Sequence, residues 1–199
     1  MRAALSEFAR SGFEGASTRA IAEAAEVPHS LVLYHFGNKE ELWLETVKAS
    51  VQWYTRHRFG APARPRRDDP VGQLRRHFRR YVYFSAQYPD FFRMFTNENK
   101  LESERLKWFV THHTGPFLSR IAGLIAEAQA LGAFVEGDPL TLIYLFIGAA
   151  TIPYRSASEI AQITGERTDT PEAIERHLAM LDRLFFRTPP TPPSSDPSS

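Results

Sequence analysis

His29, Ser30, Leu31, Leu33, Tyr34 and His35 place two imidazoles, two hydroxyls and two aliphatic side chains within one short stretch. Helical spacing turns this set outward, with Val32 and Phe36, four residues apart, on the opposite inner face. Such a helix can read a duplex. His29 and Ser30 fall in its first turn, where a ring nitrogen or hydroxyl can hydrogen-bond to base edges, and Leu31 or Leu33 can meet a thymine methyl. Tyr34 and His35 are spaced for phosphate oxygens, or alternatively to pack on a preceding helix. Thr18 and Arg19 open a neighbouring helix and Lys39 opens a later one. Both pairings of a polar group with a positive helix end suit a phosphate. Arg19 also stands four residues before Glu23, a spacing that supports an ion pair.

The flanking residues supply the elements that must hold these groups. Ala4, Leu5, Phe8 and Ala9 line a first helix that stops at Gly12, and Ile21, Ala22 and Ala25 mark a second, capped by Ser17 or Thr18. Asn38 followed by Glu41 reads as a capping box for a long fourth helix reaching about Arg58. A Pro, Arg and Asp-rich loop follows from Gly60 to Pro70. Val71, Leu74, Phe78, Tyr81, Val82 and Ser85 then trace a fifth helix, and Asp90 to Phe95 a short sixth. Helical sequence resumes from about Glu102 to Leu131, with a break or kink expected at Gly115-Pro116. Asp138-Pro139 and Thr170-Pro171 each start a helix, an oxygen cap followed by proline; the first is expected to run to about Ile152. Sustained period-two alternation is absent, so no sheet is expected.

The chain has 199 residues, 43% hydrophobic and 13% aromatic, enough to bury a sizeable core. Its longest apolar run, Leu140 to Pro153, falls short of the roughly 20 residues needed to cross a bilayer, and no secretory signal is visible. With no cysteine there is no disulfide framework and no thiolate metal site; a cytoplasmic protein without membrane contact is the simplest expectation. His112-His113 point about 100° apart on a helix, so no metal is expected there. No paired carboxylates, nucleophile and base, or glycine-rich phosphate loop stands out, so neither catalysis nor a cofactor is expected. The net charge of +1 is unevenly spread. Residues 1–48 carry five Lys/Arg against seven Asp/Glu, residues 49–80 nine against two, and residues 81–199 ten against fourteen. The N-terminal end therefore lacks a broad positive field, and any duplex contact there must rest on a few placed groups.

The order Gly12-Phe13-Glu14-Gly15-Ala16-Ser17-Thr18-Arg19, Ile21-Ala22, Val27, Tyr34-His35-Phe36 and Asn38-Lys39-Glu40-Glu41-Leu42 closely resembles the N-terminal domain of the TetR (tetracycline-repressor) family. Farther on, Tyr88 to Phe95 and Gly132-Ala133-Phe134 before Asp138-Pro139 resemble the effector domain of some members. The resemblance implies an all-α homodimer whose two reading heads enter successive major grooves of an inverted-repeat operator in double-stranded DNA. A ligand in the C-terminal part would change their spacing. Three departures are visible. Glu26 replaces the turn glycine, which demands a left-handed backbone from a charged residue; Pro28 replaces a hydroxyl cap; and Leu31 and Leu33 occupy positions often held by Thr and Tyr.

The middle of the chain concentrates aromatic side chains, which suits a mostly apolar pocket for a small apolar or aromatic effector. Phe84, Phe92, Trp108, His112 and Tyr144 are its expected walls. Arg75, Arg76, Arg79 and Arg80 share a helix face and, with Arg64, Arg66 and Arg67, form a basic patch: a solvated surface, or a site for an acidic effector or partner. Ile143 and Ile147, with the stripe Ile174, Leu178, Leu181 and Phe185, are expected to form a dimer interface by packing on their symmetry mates. The expected fold is all-α: a three-helix helix-turn-helix domain over residues 1–47, a helical ligand-binding and dimerisation domain over 48–187, and a disordered Pro, Ser and Thr-rich tail over 188–199. The function expected is a ligand-responsive transcriptional regulator, a repressor. The alternative is an all-α small-molecule binder or partner-docking protein that no longer binds DNA.

Overall fold

The computed structural model describes residues 1–56, 69–98 and 102–187. The expected loop as far as residue 68, Arg64, Arg66 and Arg67, and the tail from residue 188 lie outside the described residues. Eleven α-helices follow one another among those described: α1 Arg2–Gly15, α2 Thr18–Ala24, α3 His29–Phe36, α4 Lys39–Arg56, α5 Pro70–Gln87, α6 Pro89–Glu98, α7 Glu104–Phe109, α8 Gly115–Ala130, α9 Pro139–Arg155, α10 Ala157–Thr164 and α11 Pro171–Phe185. Their starts are chemically marked. Ser17, Asp69, Ser103, Asp138 and Thr170 each accept a hydrogen bond from a backbone N–H in the first turn of the helix they precede. At α5 the Asp69 carboxylate lies so close that a Cβ on Gly72 would come within 2.0 Å of it, so a side chain there would push the capping carboxylate aside.

Four details differ from the sequence expectation. Helix α1 continues to Gly15, but Gly12 breaks its geometry with φ 68° and ψ 176°, a conformation open to glycine. Before Gly115-Pro116 the chain does not simply kink. It widens into a π-turn over Val110–Thr114, with the Gly115 N–H reaching back to the Val110 carbonyl. The wider turn relieves the clash between a proline ring and the carbonyl four residues earlier. Helix α9 runs through Pro153 to Arg155, and α10, not anticipated, bends away by 66°. One isolated antiparallel bridge, Phe134 to Phe186, ties the end of α11 to the α8–α9 link through Val135 N–H to Phe185 O (2.9 Å) and Arg187 N–H to Ala133 O (3.0 Å). Among the described residues no single helix is long and apolar enough to cross a membrane.

Two apolar cores result. Ala4, Phe8, Ile21, Val32, Leu42, Trp43 and Val47 close the N-terminal core, and Met94 and Phe95 of α6 complete it. Leu74, Phe78, Val82, Ile121, Ile125, Phe134, Phe146, Ile174 and Leu181 fill the second, where the Phe78 and Phe146 rings stack at 3.5 Å. Helix α4 spans the two regions and α6 packs along α1, with Asn97 donating to the Ala9 carbonyl at 3.1 Å. The second core contradicts the expected dimer seam. Ile143, Ile174, Leu181 and Phe185 are buried inside one subunit, and Ile147 and Leu178 pack partly against them. The reason is periodicity: the stripe that faces α5 and α8 is the most apolar one, so the fold consumes it first. What α9 and α11 leave outside is a different set, Leu140, Tyr144, Leu145 and Ile152 on one helix and Met180 and Leu184 on the other.

Candidate nucleic-acid interface

Helix α3 sits where two turns put it. Before it, Glu26 takes φ 55° and closes α2 with paired bonds, Glu26 N–H to Glu23 O and Val27 N–H to Ala22 O, both 3.0 Å. The left-handed residue there is thus a glutamate, as the resemblance to the family implied. Pro28 then starts α3 without a side-chain cap. After α3, Gly37 and Asn38 turn the chain, and the Asn38 side chain accepts from the Glu41 N–H at 2.9 Å. Val32 is buried and Phe36 packs on the head core, which leaves Ser30, Leu31, Leu33, Tyr34 and His35 exposed on one outer surface. Tyr34 is 83% exposed, with its ring edge-on to His35 at 5.3 Å, so neither residue packs away into the first helix.

The remaining expected contacts separate into two kinds. His29 is half-buried, and its Nε2 lies 3.0 Å from the Thr18 hydroxyl. That bond ties the first turn of α3 to the first turn of α2 and fixes the angle between them. Arg19 is exposed and makes no ion pair with Glu23 among the described residues, so its guanidinium is available outward. Lys39 is a correction. Its ammonium turns inward, donating to the carbonyls of Glu14 (3.2 Å) and Ala16 (3.3 Å) above the Phe13 ring at 4.7 Å. The C-terminal end of α1 carries unpaired carbonyls and negative dipole, and it captures the nearest cation.

Sequence reasoning missed the joint between this head and the helices behind it. The Arg105 guanidinium lies 3.5 Å from the centroid of the Phe13 ring, donates to the buried Glu98 carboxylate at 3.1 Å and approaches Glu14 at 3.7 Å. Ser103 also bonds Glu98. The signal available was weak: a lone phenylalanine between two glycines, with both cations far away in sequence.

The expected effector walls meet in pairs but do not converge on one site. Phe84 and Phe92 come together (5.6 Å) in an aromatic cluster with Tyr54 (4.9 Å from Phe84) and Phe91 (5.1 Å). Trp108 instead packs on the head core and stacks on the exposed His112 at 5.2 Å. Tyr144 is 58% exposed on the outer side of α9. A small internal cavity lies elsewhere, between α5, α8 and α9, lined by His77, Phe78, Tyr81, Phe117, Ile121, Ile143, Phe146 and Ile147. At about 20 Å³ it has room for one water. Burial, and then the nearby Arg120, Arg80 and Arg76, push the His77 imidazole down to about 4. Burial likewise raises the Tyr81 phenol far above its ordinary range. The arginine run is largely structural. Arg75 pairs with Asp182 at 2.7 Å, Arg79 grips Glu175 through two bonds (2.5 and 3.0 Å), and Arg80 donates to the Tyr54 carbonyl at 2.6 Å.

Known proteins agree with this geometry. The family description "Bacterial regulatory proteins, tetR family" matches residues 1–46, and "Tetracyclin repressor-like, C-terminal domain" matches residues 70–184, more than half of the chain. The HTH-type transcriptional regulator RutR of Escherichia coli strain K12 is 28% identical over 168 residues, 83% of this chain and 76% of that protein. Among solved structures, an HlyIIR mutant protein carrying a GSSGSSG linker superposes with a TM-score of 0.66 at 20% identity, covering 96% of this chain and 94% of that one. A TetR-like transcriptional regulator from Rhodococcus sp. RHA1 gives 0.64 at 17% identity, covering 92% and 89%. At those identities the structures speak for the fold alone. Matched from head to C-terminal helices by descriptions of one family, and presenting an outward recognition helix, this chain belongs to the TetR family of DNA-binding transcriptional regulators.

Proposed function

We propose that the protein is a repressor that binds an inverted-repeat operator as a homodimer and lets go when a small effector enters its C-terminal part. The observation that carries this is the outer surface of α3: a mixed polar and apolar strip, held at a fixed angle by the Thr18–His29 bond. Its dimensions suit a major groove. Ser30 and the free edge of His29 meet base edges, Leu31 and Leu33 meet thymine methyls, and Arg19, Tyr34 and His35 hold phosphates. Two such heads related by a two-fold would sit about 34–36 Å apart.

The partner copy is held by the outward stripes of α9 and α11, Leu140, Tyr144, Leu145, Ile152, Met180 and Leu184, packed as a four-helix bundle. Residues 1–47 act as the reading head and 48–187 as the effector and dimer domain, in the cytoplasm and without a catalytic step. A mobility-shift titration against the DNA upstream of its own coding region tests the proposal. A retarded band that footprints an inverted repeat supports it, and equal affinity for random duplex overturns it. The second reading, a binder that has lost DNA, is favoured by the excess of acidic over basic residues in 1–48. It predicts no band at low salt, where phosphate attraction is strongest.

A further inference from the structure

The break at Gly12 divides α1 into a long piece and a last turn, Phe13 to Gly15. The long piece lies along α6, where Asn97 donates to the Ala9 carbonyl at 3.1 Å. The last turn runs into the Ser17 cap of α2, so whatever fixes it aims α2 and, through the Thr18–His29 bond, α3. Within the head, Lys39 holds this turn by the Glu14 and Ala16 carbonyls. From the body, Arg105 of α7 reaches it, with its guanidinium 3.5 Å from the centroid of the Phe13 ring and 3.7 Å from the Glu14 carboxylate. The opposite edge of the same fork is anchored. Its Nε donates to Glu98, at the end of α6, at 3.1 Å, and the Ser103 hydroxyl, which caps α7, bonds the same carboxylate.

The burial of this joint separates it from ordinary ion pairs. Lys107–Glu104 and Arg176–Glu166 are open to solvent and contribute little. The Arg105 and Glu98 side chains keep only 12% and 3% exposure, and they link α7 to α6 and α1. Desolvating such a pair costs what an apolar pair of similar volume would not, so it is poor glue; what it adds is direction. Met94 and Phe95 press the head onto α6 through apolar contacts that can slide, whereas a planar fork with partners on three sides fits one arrangement.

We infer that Arg105 is a positioning residue for DNA reading: it ties the last turn of α1 to the corner between α6 and α7, and so sets the angle at which α2 and α3 leave the body and the half-site spacing the protein accepts. The inference rests on the proposed two-headed reading of an inverted repeat and names the residue that tunes it. Arg105 touches no base or phosphate in this role. It acts through Phe13 and Glu14.

The test uses the full chain, which has no cysteine of its own to compete for a label. Ser30→Cys and Ser119→Cys, both at exposed serines, put one spin label on α3 and one on α8. Labelled chain is diluted into unlabelled protein so that each pair is intramolecular, and pulsed EPR reads the distance without DNA. The parent should give one narrow distribution, and Arg105→Gln should widen it to about twice that width. Because this change strands the buried Glu98 carboxylate, Phe13→Leu is the second arm. It keeps an apolar side chain in the head core and leaves Arg105, Glu98 and Ser103 joined, yet it should widen the distribution as well. A parent that is already broad, or a folded variant as narrow as the parent, overturns the inference.

Unlabelled chains are then titrated onto an inverted repeat, onto the same repeat with one base pair added at its centre (about 3.4 Å and a tenth of a turn), and onto a single half-site. The parent should lose roughly tenfold in affinity on the insertion because its two heads no longer engage together. Both variants should lose threefold or less, with half-site affinity unchanged. A variant that weakens on all three duplexes alike, or that pays the parent's full penalty for the insertion, overturns the assignment. If the parent binds no inverted repeat, the proposed operator reading falls, and the label distances alone decide this inference.

Discussion

Two surfaces of this molecule expose large apolar side chains, and they differ in what surrounds them. On α3, Leu31, Leu33 and Tyr34 stand beside Ser30 and His35 on a strip one helix wide, with Arg19 nearby. On α9 and α11, Leu140, Tyr144, Leu145, Ile152, Met180 and Leu184 make a surface two helices wide. Exposure alone does not tell them apart. Width and neighbours do: a narrow strip with hydrogen-bonding groups matches the alternating donors, acceptors and methyls of a groove, whereas a broad aliphatic surface matches only another like itself. The support beneath them differs too. The head rests on cross-links, Thr18 to His29 and Arg105 to Glu98, while the body is welded by phenylalanine stacking and by Arg75 and Arg79 reaching acids on α11.

The largest effect should come from the broad surface. Leu145→Glu with Leu184→Glu places charges on both outer stripes without touching either core, since both residues are exposed. Sedimentation should show single chains where the parent is a dimer. Operator affinity should fall by roughly a hundredfold or more, because the second head loses its tether. A parent that sediments as a monomer would remove the two-surface contrast altogether.

The body core should also answer to acid more than the head does. His77 titrates near 4 when folded, against an ordinary 6.5. Below 6.5 the unfolded chain takes up a proton that the folded chain refuses, so stability is full above that pH and is lost as pH falls toward 4. The loss over the window is about 3 kcal/mol. Urea melts at pH 7.5 and pH 5 should show about 2 kcal/mol of it, and His77→Gln should flatten the dependence. His113 and His177 are shifted the same way by burial, so the informative quantity is the difference between parent and variant. A variant with the parent's pH slope would mean His77 is not sealed.

Helix starts were legible because they depend on local chemistry: an oxygen side chain before proline, or Asn38 three residues ahead of Glu41, needs no knowledge of the rest of the chain. The left-handed Glu26 was legible only through the resemblance, which puts a glycine at that turn. Partners across helices were not. Ile174 and Leu181 read as an available apolar stripe, yet the stripe does not say whether its neighbour belongs to the same chain. Lys39 shows the limit inside the head. Its place at a helix start is visible, but the Phe13 ring and the carbonyls that capture it sit about two dozen residues away. His77 read as one more member of the arginine run around it, and only three-dimensional packing separates a largely buried imidazole from its guanidinium neighbours.

A middling effect is expected on the narrow surface. Tyr34→Ala removes a side chain that is 83% exposed, its ring edge-on to the adjacent His35. Thermal stability should stay within about 0.5 kcal/mol of the parent. Operator affinity should drop roughly tenfold, about 1.4 kcal/mol. If binding survives unchanged, the strip is not the contact surface and the head's apolar tip needs another partner.

The smallest effect concerns the turn that aims the strip. Glu26 closes α2 with the same pair of backbone bonds that Gly132 uses to close α8, where Gly132 N–H reaches Gln129 O and Ala133 N–H reaches Ala128 O. The two turns have φ 55° and φ 65°, but only one has the residue for it. A side chain in that conformation costs about 1 kcal/mol, and glycine gives part of this back through the entropy of the unfolded chain. Glu26→Gly should therefore raise the urea midpoint slightly, by an amount worth less than about 1 kcal/mol. It also removes a carboxylate at the edge of the reading surface, so operator affinity should rise and its salt dependence steepen by a fraction of one phosphate contact. A stability gain without any change in DNA affinity would place the glutamate clear of the backbone of the duplex. A loss of stability would show that its side chain, not its strain, is what the turn retains.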